Sequence, residues 1–183
     1  MGKRALGSVL LYTAIAFGGE SMAYQITFEK TAVDEIEVRT LPAARWLTTE
    51  MNGVYFDQSN ELFMRLFDYI RANDVSMTVP VVSRLDKAEM HFYISKDTPP
   101  HTLHNTAAVR LVDVPERQVV SIDGRGFYSE ANLTDAEADL LAWLDTQTEW
   151  IAAGAPYAVY WNGPFTPWFM KRFEVHLPVE PAN

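Results

Sequence analysis

Residues 59–81 read SNELFMRLFDYIRANDVSMTVPV. Leu62, Phe63, Leu66, Phe67 and Ile70 recur at helical spacing and form one broad apolar face, which predicts a helix over residues 59–72. Asp57 or Ser59 is placed to cap its start and Asn73-Asp74 to end it. The run Met77-Thr78-Val79-Pro80-Val81 then turns to strand composition, so residues 76–84 and 89–95 read as two strands. Towards the amino terminus, Ile36 and Val38 alternate with polar neighbours, as do Ile26 and Phe28, the two-residue period of a half-buried strand. Residues 44–51, with Trp46, Leu47 and two threonines, make a further strand.

The same order of elements follows on the carboxyl side. Residues 96–106 contain Pro99-Pro100 and read as a loop, residues 107–112 and 118–122 as strands, and Asp123-Gly124-Arg125-Gly126 as a turn. Thr134-Asp135-Ala136-Glu137 has the form of a capping box, predicting a second helix to about residue 148 with Leu140, Leu141, Trp143 and Leu144 as its apolar side. Residues 157–161 and 172–177 are the last strands, and the prolines at 164 and 167 keep the connection between them out of a ladder. A strand-helix-strand-strand unit thus occurs twice. Two helices and about eight strands predict an α+β fold, an antiparallel barrel-like sheet with both helices packed on it, with two separate ferredoxin-like sheets as the alternative.

Composition narrows the function. A net charge of −9, from 24 acidic and 15 basic residues, argues against a nucleic-acid surface. The absence of cysteine excludes disulfides, thiolate metal sites, covalently attached haem and cysteine nucleophiles. Lys3 and Arg4, then an apolar run over residues 5–17 and small residues at Ser21 and Ala23, have the order of a secretory signal cut after Ala23. The run falls short of the about 20 apolar residues of a transmembrane helix. The expectation is a signal peptide over residues 1–23, a domain over residues 24–183 and a periplasmic or secreted protein; if translation starts at Met22, the protein is cytoplasmic.

Three segments together resemble the SOUL family of haem-binding proteins. Ile36-Glu37-Val38-Arg39-Thr40-Leu41 is similar to its early "YEVRxY" strand, and Met77-Thr78-Val79-Pro80-Val81 after Tyr69-Ile70 to its "YI…MTxPV". The segment Gly163-Pro164-Phe165-Thr166-Pro167-Trp168-Phe169-Met170-Lys171-Arg172-Phe173-Glu174-Val175 resembles its "PPxTPxFxRRNEV" ending, with Lys171 for the first arginine and Phe173 for the asparagine. The resemblance implies two units related by a pseudo-twofold axis, an eight-stranded sheet and two long helices. It also implies non-covalent binding of haem or another tetrapyrrole, for carriage or buffering, in an apolar cleft between the first helix and the loop before the last strand. On this chain those positions are Phe63, Met64 and Phe67 on the helix and Trp168, Phe169 and Met170 on the loop.

The residues themselves bear on that expectation. Phe63 and Phe67 are expected first of all to fill the core beneath the helix, whereas three large apolar residues on a proline-bounded loop call for a ligand or a partner. Lys171 and Arg172 are placed to pair with ligand carboxylates. His91 and His176 alternate away from the apolar residues of their strands and are expected at the surface, and His101 and His104 lie in a loop. The iron would therefore have no fixed histidine or would take Met64 or Met170, with His91 and His176 as secondary candidates. No G-x-S-x-G, H-E-x-x-H, phosphate-loop or G-x-G-x-x-G motif is present, so binding is expected before catalysis. Two competing readings remain: a hydrolase or effector-binding domain on the same fold, using Glu50 or Glu174, and an interaction module docking through the aromatic loop.

Overall fold

The computed structural model describes residues 25–99, 102–163 and 166–182. The predicted signal segment, His101, Pro164 and Phe165 lie outside them. In chain order the elements are β1 (Gln25–Ile26), β2 (Ile36–Leu41), β3 (Ala44–Glu50), α1 (Tyr55–Ala72), β4 (Thr78–Val79), β5 (Val81–Arg84), β6 (Glu89–Tyr93), β7 (Arg110–Val114), β8 (Arg117–Arg125), α2 (Glu130–Leu144), β9 (Trp150–Ala152), β10 (Tyr157–Tyr160) and β11 (Arg172–Pro181).

Eight strands form an antiparallel sheet in the order β2-β8-β11-β10-β5-β6-β3-β7, with β9 added beside the end of β11; β1 and β4 make a small parallel pair. Read outward from the central β5–β10 pair, the order repeats: β6 answers β11, β3 answers β8 and β7 answers β2. This is the pseudo-twofold arrangement of two strand-helix-strand-strand units, with one edge strand exchanged between them.

The exchange curls the sheet. β2 and β7 lie at opposite edges, yet only Pro42-Ala43 separates β2 from β3 and only Pro115-Glu116 separates β7 from β8. Both pairs of strands run in one unbroken register, from Ile36↔Ile122 to Leu41↔Arg117 and on, without a slip, from Ala44↔Val114 to Thr48↔Arg110. Two long strands therefore pass together from one half-sheet to the other, kinking where Pro42 and Pro115 remove amide donors. Such a link draws the edges towards each other and makes the sheet barrel-like.

Both faces are consequently buried. The helices cover the convex face, where Leu62, Leu66, Tyr69 and Ile70 of α1 and Leu133, Leu140 and Leu144 of α2 meet Phe92, Phe173 and Val175 of the sheet. The concave face holds a second cluster of Leu41, Val82, Tyr93, Val119, Val159 and Trp161. Across it Arg117 of β8 reaches the Tyr93 hydroxyl of β6 at 3.3 Å and lies 5.0 Å from the Trp46 ring centroid of β3.

The concave face corrects the expectation for two histidines. Alternation does turn His91 and His176 away from the helices, but the other side is the barrel interior, not solvent, and both are buried. The His91 Nδ1 lies 2.9 Å from the Thr48 hydroxyl and its ring packs on Trp46. Burial, with Arg84, Arg117 and Arg110 nearby, pushes its pKa down to about 3. His176 donates through Nε2 to Glu174 Oε2 at 2.7 Å. Glu174 also accepts from the Trp161 indole at 2.8 Å and the Thr31 amide at 2.9 Å. Burial alone would raise the Glu174 carboxyl, but the hydrogen bonds from His176 and Thr31 outweigh it and leave it below its ordinary range; complete burial pushes the His176 ring down.

Element boundaries differ from the predicted ones for local reasons. The predicted start at residue 59 lies one turn inside α1, which begins at Tyr55 without a side-chain cap. Ser129, not Thr134, caps α2, accepting from the Asn132 amide at 3.3 Å, because the buried stripe already begins at Leu133. Thr134-Glu137 therefore lies within the helix. Residues 123–125 of the predicted turn are the end of β8, only Gly126 turning out of it at a φ of 104°, and Gly124 pairs with Phe173 across the ladder. The Phe173 ring, at the family's asparagine position, occupies the space a Cβ on Gly124 would need.

Gly124→Ala is expected to lower stability by about 1–3 kcal/mol, because the new methyl meets a buried ring with nowhere to go. Urea denaturation measures this, and Phe173→Leu in the same chain should recover part of the loss. His91 sets a pH dependence whose sign follows from its depressed pKa. The unfolded chain takes up a proton near pH 6.5 while the folded ring stays neutral to about 3, so stability falls as pH falls across that window. The slope from this ring is about 1.4 kcal/mol per pH unit. A His91→Gln variant should show a shallower acid limb when unfolding free energy is measured against pH.

Candidate functional site

The apolar face of α1 divides in two. Leu62, Leu66, Tyr69 and Ile70 enter the core, while half-buried Phe56, Phe63 and Phe67, one turn round the helix, line a cavity of about 320 Å³ at its flank. Phe63 and Phe67 lie nearly parallel, with centroids 5.7 Å apart and planes at 16°. Val81 of β5 and Met90 of β6 line the cavity from the sheet, with Met77 from the segment before β4 and Tyr160 from the end of β10; Tyr128, Asn162 and Lys171 form the opposing side. The walls are thus mainly apolar with a few polar groups, as small-molecule sites are.

Tyr128 makes that opposing side firm. Its hydroxyl accepts from the Asn162 amide at 3.0 Å and donates to the Arg172 carbonyl at 3.0 Å, tying the turn before α2 to both ends of the loop before β11. Its ring stacks on Tyr160 at 4.3 Å and 28°, and the Lys171 ammonium lies 5.0 Å from its centroid. Burial pushes the Tyr128 phenol up to about 12. Burial and the neighbouring Tyr55 and Tyr128 hydroxyls push Tyr160 higher still. Tyr55 donates to Ser83 at 2.8 Å, whereas the buried Tyr160 hydroxyl, though beside Tyr55, has no partner. Lys171 is the one cationic residue among those lining the cavity, and none of them is acidic.

Of the residues singled out in the sequence, Phe63, Phe67 and Lys171 meet at this cavity. Met64 points outward from α1. Trp168, Phe169 and Met170 form an exposed 3-10 turn outside the lining, with Trp168 stacked on Phe127 at 5.3 Å. Arg172 turns the other way: it pairs with Asp123 through Nε at 2.9 Å and donates to the Thr31 carbonyl at 2.9 Å. His91 and His176 are enclosed in the barrel, and His104 lies against Tyr69 at 5.9 Å, away from the cavity. Glu50 is exposed and bound to Arg110 at 2.9 Å, and Glu174 lies on the opposite face of the sheet, so neither proposed carboxylate lines the cavity.

Tyr55, Phe56, Met77, Met90, Tyr128 and Tyr160 line the cavity without having been singled out. Met90 shows in the sequence only as an alternating strand residue, and Tyr128 belongs to no periodic pattern. A wider, open groove of about 1010 Å³ lies at the Pro42 and Pro115 kinks, but it has no aromatic wall and is bordered by Arg45, Asp113, Lys96 and Asp97. Chemistry, not size, therefore selects the cavity beside α1. Among the described residues no group of three histidine, cysteine, aspartate or glutamate side chains could hold a metal ion, and no helix is long and apolar enough to cross a membrane.

The family model described as SOUL heme-binding protein matches residues 19–178. No curated protein matches the chain. Among solved structures, the EcmrR C-terminal domain is similar at 13% identity and a TM-score of 0.65, over 81% of this chain and 98% of that one. Against EcmrR in its complex with DNA the values are again 13% and 0.65, and the chain spans only 58% of that longer protein. An uncharacterized conserved protein from Listeria innocua is similar at 11% identity and a TM-score of 0.64, over 81% of this chain and 93% of that one. A hydrolase from Listeria innocua shows 14% and 0.58, over 82% and 94%. At such identities these likenesses show a shared fold and nothing about ligand or chemistry. The match over residues 19–178 identifies more: the chain belongs to the SOUL heme-binding protein family.

Proposed function

We propose that the protein binds a tetrapyrrole, haem foremost, non-covalently in the cavity beside α1, as a carrier or buffer of a planar hydrophobic molecule. The observation that carries this reading is the pairing of two parallel aromatic stacks, Phe63 with Phe67 and Tyr128 with Tyr160, around one apolar cavity with Lys171 beside it. Flat rings offer planes to a macrocycle, and an ammonium offers a partner to a propionate. A volume of about 320 Å³ is at the low end for small-molecule sites, so a porphyrin would keep one edge in solvent.

The side chains present fit such a guest. Phe63 and Phe67 would hold one part of the ring system, Tyr128 and Tyr160 another. Lys171 would leave the Tyr128 face for a carboxylate. The soft donors on the walls are the thioethers of Met77 and Met90, not those of Met64 or Met170. When bound, haem itself supplies the iron's redox and ligand-binding chemistry. The positively charged, apolar and small-residue order of residues 3–23 supports a periplasmic or secreted setting for this binding.

Titration of the purified protein with hemin should shift and sharpen the Soret band. Phe67→Ala should weaken binding about tenfold or more, which is about 1.4 kcal/mol. Lys171→Glu should weaken hemin but spare its dimethyl ester, and Trp168→Ala should change neither. An unchanged Soret spectrum, or equal affinity in wild type and Phe67→Ala, would remove the proposal.

A further inference from the structure

The exposed aromatic turn lies outside the lining of the cavity beside α1. Phe127, Trp168, Phe169 and Met170 are 57%, 54%, 64% and 60% exposed. They form one patch, since Trp168 stacks on Phe127 at 11° and meets Phe169 edge-on at 5.9 Å. Single exposed apolar residues are ordinary, but four large ones grouped together mark an interaction surface.

Its charge surroundings distinguish the kind of surface it meets. The chain carries 24 acids and a net charge of −9, yet residues 150–173 contain neither aspartate nor glutamate, and residues 124–129 contain none either. The charged residues adjoining the patch in sequence are Lys171, Arg172 and exposed Arg125; the two arginines share one buried carboxylate, Asp123, which lies 3.9 Å from Arg125 Nε, so the group keeps a net positive charge. The nearest acid in sequence, Glu130, sits in the first turn of α2. Aromatic side chains flanked by cations, on an otherwise acidic molecule, complement an anionic lipid surface.

The patch also frames the cavity. Phe127 is exposed while Tyr128, the next residue, lines the cavity; Met170 is exposed while Lys171, the next, lines it too. We infer that Phe127 and the Trp168–Met170 turn dock the protein on an anionic bilayer, with the cavity mouth towards the lipid from which an apolar ligand would enter or leave. The docking assignment goes beyond the identity of the ligand, and its test requires none.

The full chain is mixed with vesicles of equimolar phosphatidylcholine and phosphatidylglycerol, with and without bromine on the acyl chains. Wild type should float with the vesicles, and a Trp168→Ser/Phe169→Ser/Met170→Ser variant should lose partition by more than about tenfold. Residues 1–24 are common to both, so their contribution cancels. Bromine should quench a component of the tryptophan emission that is missing in Trp168→Phe. An unchanged circular-dichroism spectrum and urea midpoint for the serine variant show that it is folded, and Trp168→Phe supplies the readout if it is not. Absence of wild-type flotation, equal flotation of wild type and serine variant, or equal quenching in wild type and Trp168→Phe would overturn the inference. So would a concentration-dependent dimer abolished by the serine substitutions, which would assign the patch to a second copy of the chain.

Discussion

The shared ladder of β2–β3 with β7–β8 is the constraint on which the rest of this molecule depends. Because both strand pairs cross in the same register with two-residue links at Pro42-Ala43 and Pro115-Glu116, neither half-sheet can flatten without breaking the other. The sheet curls, and each strand is then covered twice, by helices outside and by opposing strands within. This explains why one alternation pattern yields two cores of different character. The outer core is nearly all apolar. The inner one contains Glu174, His176, His91, Arg39 and Arg117 around aromatic rings, held by hydrogen bonds such as His176 to Glu174 at 2.7 Å. A buried carboxylate of this kind is retained only when fully partnered, and Glu174 is.

The same curl positions the cavity. α1 covers one half-sheet, while its neighbours at the cavity, Tyr128 and the loop before β11, come from the other unit. The cavity is thus a junction between the two units, closed by the Tyr128 hydroxyl holding Asn162 and Arg172. Arg172 contributes to it only indirectly. Its pairing with Asp123 and Thr31 anchors the start of β11, and so places Lys171 at the cavity and leaves Met170 outside.

Much of the architecture was legible in the sequence, because helical spacing over residues 62–70 and two-residue alternation on the strands are local signals. The duplication of strand-helix-strand-strand was legible for the same reason, and three short motifs sufficed for the family. What local patterns do not carry is which face meets water. His91 and His176 carry the alternation of exposed residues, and only the closed sheet makes both sides interior. Likewise Phe63 and Phe67 cannot be told from Leu62 and Leu66 until the helix has a sheet to lean on. At the carboxyl-terminal loop the local pattern carries no side-chain orientation. A 3-10 turn reverses side-chain direction within a residue or two, so that Lys171 faces the cavity and Trp168, Phe169 and Met170 do not.

The site proposed for a flat ligand lies on the convex side of the sheet, beside α1, across the sheet from the barrel interior. Ring-current shifts on adding the diamagnetic analogue zinc protoporphyrin, read on the methyl groups by NMR, test this most directly. The account predicts large shifts for Met77 and Met90, with Val119 and Val159 inside the barrel unmoved. Large shifts at Val119 and Val159 with Met77 and Met90 unchanged would contradict it.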